Sequence, residues 1–169
     1  MKTIIRPVPV PAKSRLTALL TNAYFHDAYE LVREFDSASV LELYLDGLKR
    51  APGWVNTLMS IRNRMVALVG LKDLGSLAQF EPDKPPSAYR EGDRLGIFSI
   101  LYLSDQELIL GDSDRHLDVQ VSVCKLTGTA RASVVVSTVV NIKNRLGRVY
   151  MLVVTPLHKR IVPAILARV

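Results

Sequence analysis

Apolar residues in the first part of the chain switch from helical to strand spacing. The stretch "SRLTALLTNA" places its leucines on one side, which predicts a short helix that Ser14 can cap. Period-two spacing in "HDAYELVREF" then predicts a strand over about residues 24–35. Before both, the proline-rich "MKTIIRPVPVPAKSR" predicts an extended, polyproline-like arm.

Helical spacing returns after this strand and predicts two helices joined by a tight turn. In "SASVLELYLDGLKR", Ser37 or Ser39 can cap the first helix, and Glu42 supports its first turn. A Pro-Gly pair then precedes "WVNTLMSIRNRMVALVGL", a second helix that Gly70 closes. The polar residues 72–94 predict a loop, within which "SLAQF" can pair as a short strand.

From residue 95 to residue 142 the pattern predicts one strand after another. The segments "LGIFSILYL", "QELILGD", "RHLDVQVSVCKL" and "ARASVVVSTVVNI" are separated by only a few turn-forming residues. Connections this short favour an antiparallel meander.

The final apolar stretch, "GRVYMLVVTPLHKRIVPAIL", allows three interpretations. A membrane span is disfavoured, because His158, Lys159 and Arg160 would lie together in the hydrocarbon. A strand can end at Val154, followed by a helix that Thr155 caps. We prefer one long, bent, amphipathic helix, since its apolar residues then share one face and its prolines lie on the other side.

Composition narrows the class of protein further. The 169 residues carry a net charge of +6, but the cations are scattered, so we expect a solvated surface and no binding of nucleic acid or of an anionic membrane surface. The single cysteine, Cys124, excludes an internal disulfide and suits the cytoplasm. Arg6 and three prolines interrupt the N-terminal stretch, which argues against a secretory signal. We divide the chain into an arm with a short helix over residues 1–22 and one domain over residues 23–169.

The predicted order of elements matches the helix-grip order of the START and pollen-allergen-like superfamily. The segments "YFHDAYELV", "PGWVNTLMSIRNRMVALVGLK", "ELILGDSDRHLDVQVSV", "VVVSTVVNIKNRLGRVYM" and "PLHKRIVPAIL" resemble a bacterial family of unknown function in that superfamily, which includes polyketide-cyclase-like proteins. The resemblance implies an α+β fold in which a curved antiparallel sheet of six to seven strands wraps a long bent C-terminal helix. It also implies two short helices after the first strand, and a cavity between the sheet and the last helix.

Polar residues suited to such a cavity are few. His116 and Asp118 lie two apart on a predicted strand and share a face, so they can act as an acid–base pair. If Leu117 and Val119 face the helix, however, this pair points outward. His26 and Asp27 are adjacent on a strand and must point to opposite faces.

The remaining candidates lie on the predicted helices. Arg62 on the second helix can hold a ligand carboxylate or phosphate, or it can form a surface ion pair. Trp54 can line a pocket or belong to the core. Tyr150 and His158 lie on or near the inner face of the last helix, where each can orient a ligand.

These observations favour a protein that binds a small apolar or amphipathic molecule. A cyclase, aromatase or hydratase using the same pocket is an alternative, and it needs at least two convergent ionisable groups there. An interaction protein is the other alternative, for example a homodimer that hides an apolar patch. No glycine-rich dinucleotide fingerprint or metal-ligand spacing is present, so we expect neither a cofactor nor a metal.

Overall fold

The computed structural model describes residues 4–32, 38–68, 83–127 and 132–169. In these residues seven strands form one antiparallel sheet in the order β1-β2-β7-β6-β5-β4-β3. The strands are β1 (Ile4–Pro7), β2 (Phe25–Val32), β3 (Arg94–Leu95), β4 (Phe98–Leu103), β5 (Glu107–Ser113), β6 (Leu117–Thr127) and β7 (Ala132–Ile142). With the helices described below, the fold is α+β, and strands β3 to β7 form the predicted meander.

The sequence predicted an extended, polyproline-like arm, but part of this arm is a strand of the sheet. Ile4–Pro7 forms the edge strand β1, which pairs with β2 in a register that places Ile4 opposite Val32. Arg6 fixes this edge through an ion pair with Glu30 at 2.7 Å. The prolines of this segment do not indicate a strand in the sequence. An edge strand tolerates proline because one side of its backbone needs no partner.

A 3₁₀ helix at Arg15–Asn22 covers the outer face of the sheet. Ser14 caps it, as predicted, by accepting a hydrogen bond from the amide of Leu16. Leu16 packs against Ile109 and Val139 on that face. Beside them the buried carboxylate of Glu107 accepts a hydrogen bond from Ser14 Oγ at 2.6 Å, which ties the helix to strand β5.

Two helices follow β2, as predicted. Helix α1 (Val40–Lys49) begins with a capping box in which Ser39 and Glu42 satisfy each other's backbone amides. Helix α2 spans Gly53–Leu68. The suggested cap Ser37, the end of the predicted first strand, the closing Gly70 and the "SLAQF" strand lie outside the described residues.

The last apolar stretch forms one helix, α3 (Arg145–Leu166), as we preferred, and not a strand followed by a helix. Asn144 caps it by accepting the amide of Gly147, and Pro156 and Pro163 lie inside it. Pro156 is exposed, as expected, and Pro163 is half-buried. Among the described helices, α3 alone is long and apolar enough to cross a membrane, with mean hydropathy 1.3. That it does not span one stays a prediction.

Candidate functional site

A mainly apolar cavity of about 260 Å³ lies between the sheet and helix α3. Its floor is the inner face of β6 and β7, whose alternate residues point toward the helix. Its roof is the inner face of α3, and α1 and α2 close it at the side. The lining includes Val121, Val136, Thr138, Phe98, Met151 and Val154. The volume equals that of roughly nine liquid water molecules, which suits a small ligand.

The first polar pair at this cavity joins helices α2 and α3. Arg62 and Tyr150 both line the cavity, and Arg62 Nε donates a hydrogen bond to the Tyr150 hydroxyl at 3.0 Å. Arg62 Nη1 also donates to Asn63 Oδ1 at 2.8 Å. These contacts hold a cation at the cavity wall, where it can meet an anionic or strongly polar ligand group.

The second polar pair joins strand β2 to helix α3. His158 lines the cavity, and its Nε2 lies 3.1 Å from Asp27 Oδ1. The side chains are 20% and 13% exposed, so both are largely removed from bulk water. Phe25, two residues before Asp27 on the same strand face, packs edge-on against the imidazole with ring centroids 5.7 Å apart. The ring of His158 is therefore held from two sides.

Asp27 affects its surroundings beyond His158. Its second oxygen, Oδ2, is buried and has no hydrogen-bond partner among the described residues. Burial, and next the negative charge of Asp27, raise the pKa of Tyr29. A buried acceptor without a partner is costly in a folded protein, so the hydrogen-bonding capacity of this carboxylate is only partly satisfied.

One further hydroxyl lies at the cavity, on helix α1. Tyr44 lines it and is half-buried. Burial raises the pKa of Tyr44, so the hydroxyl stays protonated at neutral pH. It therefore adds a neutral hydrogen-bonding group to the wall.

Three of the six residues singled out from the sequence line the cavity: Arg62, Tyr150 and His158. His116 and Asp118 do not. Leu117 and Val119 take the inward positions, so the pair points outward, which decides between the two orientations that the sequence left open. Asp118 forms an ion pair with Lys143 at 2.6 Å, and the Asn144 side chain lies 2.9 Å from His116 Nδ1. Their geometry supports a local structural role and gives no support for ligand binding.

The other candidates also have clear positions. Trp54 is 44% exposed and lies outside both the core and the cavity lining, so neither role suggested by the sequence fits it. His26 is exposed on the opposite strand face from Asp27, as predicted. Burial, and next the negative charge of Glu107, raise the pKa of the Cys124 thiol, which makes it a poor nucleophile.

Sequence reasoning placed Asp27 on a different strand face from His26 but missed its partner His158. The two residues are 131 positions apart, and only the packing of α3 against β2 brings them together. No local spacing in the sequence signals this pair. Within the described ranges, no three His, Cys, Asp or Glu side chains are grouped to hold a metal ion.

Comparison with known proteins identifies a family but no activity. Neither a curated protein nor a solved structure matches the chain. Residues 19–165 match DUF2867, described as a protein of unknown function. This match covers nearly the whole sheet, the helices α1 to α3 and both polar pairs. The chain therefore belongs to the DUF2867 family.

Proposed function

We propose that this protein binds a small apolar or amphipathic molecule between its sheet and helix α3. The observation that carries the proposal is the cavity of about 260 Å³, whose walls are mostly apolar and which two separate polar pairs border. Ligand sites combine these properties: apolar walls contribute affinity, and a few polar groups orient the ligand.

The spacing of the polar pairs refines the expected ligand. Tyr150 and His158 are eight residues apart on one helix, which corresponds to about 12 Å along its axis. Met151, Val154 and Leu157 lie between them and line the same cavity. A ligand with an apolar body and a polar group toward one end fits this arrangement.

The helix-grip interpretation supports the same proposal. A seven-stranded antiparallel sheet in the described residues, with a C-terminal helix across it, is consistent with that fold. We propose that the chain is a START-like, helix-grip member of its family. In that superfamily the space between sheet and last helix is where ligands are held.

Ligand binding can be tested with two matched variants of helix α3. Val154 lines the cavity, whereas Val149 is exposed on the outer face of the same helix. We expect Val154→Phe to fill the cavity and weaken binding of the fluorescent probe 1-anilinonaphthalene-8-sulfonate at least about tenfold. Val149→Phe adds the same side chain outside the cavity and should leave the affinity unchanged.

The same titration has a result that contradicts the proposal. If wild-type protein binds no probe, or if both variants bind it as the wild type does, the cavity is not the binding site. Native and denaturing mass spectra of the purified protein add an independent test. A reproducible extra mass that is lost on denaturation would indicate a ligand carried from the cell.

A second candidate function is self-association through the outer face of α3. Val149, Leu152 and Val153 are exposed there, and Leu152 is 72% exposed. An apolar stripe of this kind is unusual on a monomer and is typical of an interface. A dimer in light scattering that Leu152→Glu converts to a monomer would support this role, and a monomeric wild type at high concentration would exclude it.

A further inference from the structure

The contact between Asp27 and His158 determines which nitrogen of the imidazole is left for a ligand. A carboxylate only accepts hydrogen bonds, so Nε2 carries the proton that it donates to Asp27 Oδ1 at 3.1 Å. The neutral imidazole then has its lone pair on Nδ1. Within the described part of the chain, no hydrogen bond reaches Nδ1. His158 therefore offers the cavity an acceptor whose orientation is fixed by Asp27 and by the edge-on ring of Phe25.

A second acceptor lies on the same pair. Asp27 Oδ2 is buried and has no partner among the described residues. Asp27 itself does not line the cavity, so the acceptor that a bound group can reach is Nδ1 of His158, and it requires a group that brings its own proton. Either a hydroxyl or an ammonium group would meet this requirement.

The number of free acceptors decides between the two. A buried ammonium group would lose its water shell and needs several acceptors, whereas the lining carboxylates Asp112 and Asp114 already hold Arg94 and the amides of His116 and Leu117. A carboxylate is unsuited to this end of the cavity because Asp27 would repel it. A neutral hydroxyl has no charge to desolvate, and Asp27 does not repel it.

Resting on the proposed function, we propose that Asp27 and His158 form the recognition site for a hydroxyl group on an otherwise apolar ligand. The hydroxyl donates its hydrogen bond to Nδ1 of His158, while Nε2–H stays on Asp27. The aromatic walls, which include Phe25 and Phe98, favour a ring compound such as a phenol.

Two compounds of nearly equal shape test the inference: 2-naphthol and 2-methylnaphthalene. Equilibrium dialysis gives the affinity of each for the wild-type protein. A cavity without an acceptor prefers the methyl compound, because the methyl group is more apolar than the hydroxyl group. We expect the opposite order, with 2-naphthol binding about tenfold more tightly or better.

Three variants locate the origin of that preference. His158→Phe keeps an aromatic ring but has no acceptor, so 2-methylnaphthalene should bind it at least as tightly as 2-naphthol. Asp27→Asn still accepts from Nε2–H but lacks the charge, and it should lower the preference several-fold. His26→Phe is the matched control, because His26 is exposed on the opposite face of β2 and does not line the cavity; it should keep the preference for 2-naphthol.

The outcomes separate this inference from the proposed function. If both compounds bind the wild type without preference for 2-naphthol, the hydroxyl site is wrong and the cavity proposal stands. If neither compound binds, both are wrong. A preference that survives in folded His158→Phe protein would also overturn the inference, and binding of 2-methylnaphthalene to that variant shows that its cavity is intact.

Discussion

Gly147 allows helix α3 to lie directly against strand β6, and replacing it tests how firmly the cavity roof is fixed. A Cβ atom at this position would lie 2.4 Å from the carbonyl oxygen of His116. That carbonyl cannot simply move aside, because it accepts the amide of Lys143 at 2.8 Å. Gly147→Ala must therefore displace the start of α3 from the sheet.

Two opposing effects determine the size of the change. Alanine favours a helix over glycine by about 1 kcal/mol. Overpacking against a fixed backbone costs about 1–3 kcal/mol. Because the contact is far below van der Waals distance and involves backbone, we expect the clash to cost the upper part of this range, about 2–3 kcal/mol. The net loss in free energy of unfolding is roughly 1–2 kcal/mol, which lowers Tm by about 2–8 °C for a chain of this size.

Urea unfolding measures this loss, and Gly53→Ala provides the control. Gly53 begins helix α2, and a Cβ atom there meets no other atom within 4 Å. We expect its substitution to change stability by no more than about 0.5 kcal/mol, in the stabilising direction. If Gly147→Ala proved as stable as the wild type, the close packing of α3 on the sheet would be refuted.

Three other predictions concern the elements that surround the cavity. Glu107→Ala should lower the free energy of unfolding by about 2–4 kcal/mol in urea, because the Ser14 and Ser122 hydroxyls lose their buried acceptor; a loss below about 0.5 kcal/mol would contradict this. Ser39→Ala removes the capping box of α1 and should cost about 1 kcal/mol in the same assay, whereas Ser39→Thr should retain most of it. At Glu30, burial opposes ionisation, but hydrogen bonds from Ser133 and Arg6 and the charge of Arg6 lower its pKa from 4.5. A lowered pKa means that the folded state stabilises the ionised form of Glu30. The wild type should therefore be more stable than Glu30→Gln at neutral pH, and this difference should shrink as the pH falls through the pKa of Glu30. Unfolding at neutral pH and at about pH 3 measures the difference.

Local rules were sufficient for most of the secondary structure. The Ser39 and Glu42 spacing located the start of α1, and period-two alternation separated the two faces of β6 without deciding which one faces the cavity. The single helix α3 followed from the shared face of its apolar residues, despite two internal prolines. Strand β1 was missed because its proline-rich sequence favours an isolated extended arm, and only pairing with β2 makes it part of the sheet.

Fewer contacts of the candidate site could be predicted from the sequence. Arg62, Tyr150 and His158 could be assigned to helices that face the cavity, but their partners depend on how those helices pack. Asp27 lies next to a histidine on the opposite face of β2, and local spacing correctly separated these two residues but gave Asp27 no other partner. The pairing of Asp27 with His158 arises from tertiary structure alone.

Methyl NMR with 2-naphthol shows directly whether a ligand binds between the sheet and helix α3. Val136 and Val154 line the cavity, whereas Val149, Leu152 and Val153 lie on the exposed face of α3. We expect titration to shift the methyl signals of Val136 and Val154 and to leave those of the exposed face unchanged. Shifts confined to Val149, Leu152 and Val153, with the cavity signals unmoved, would contradict it.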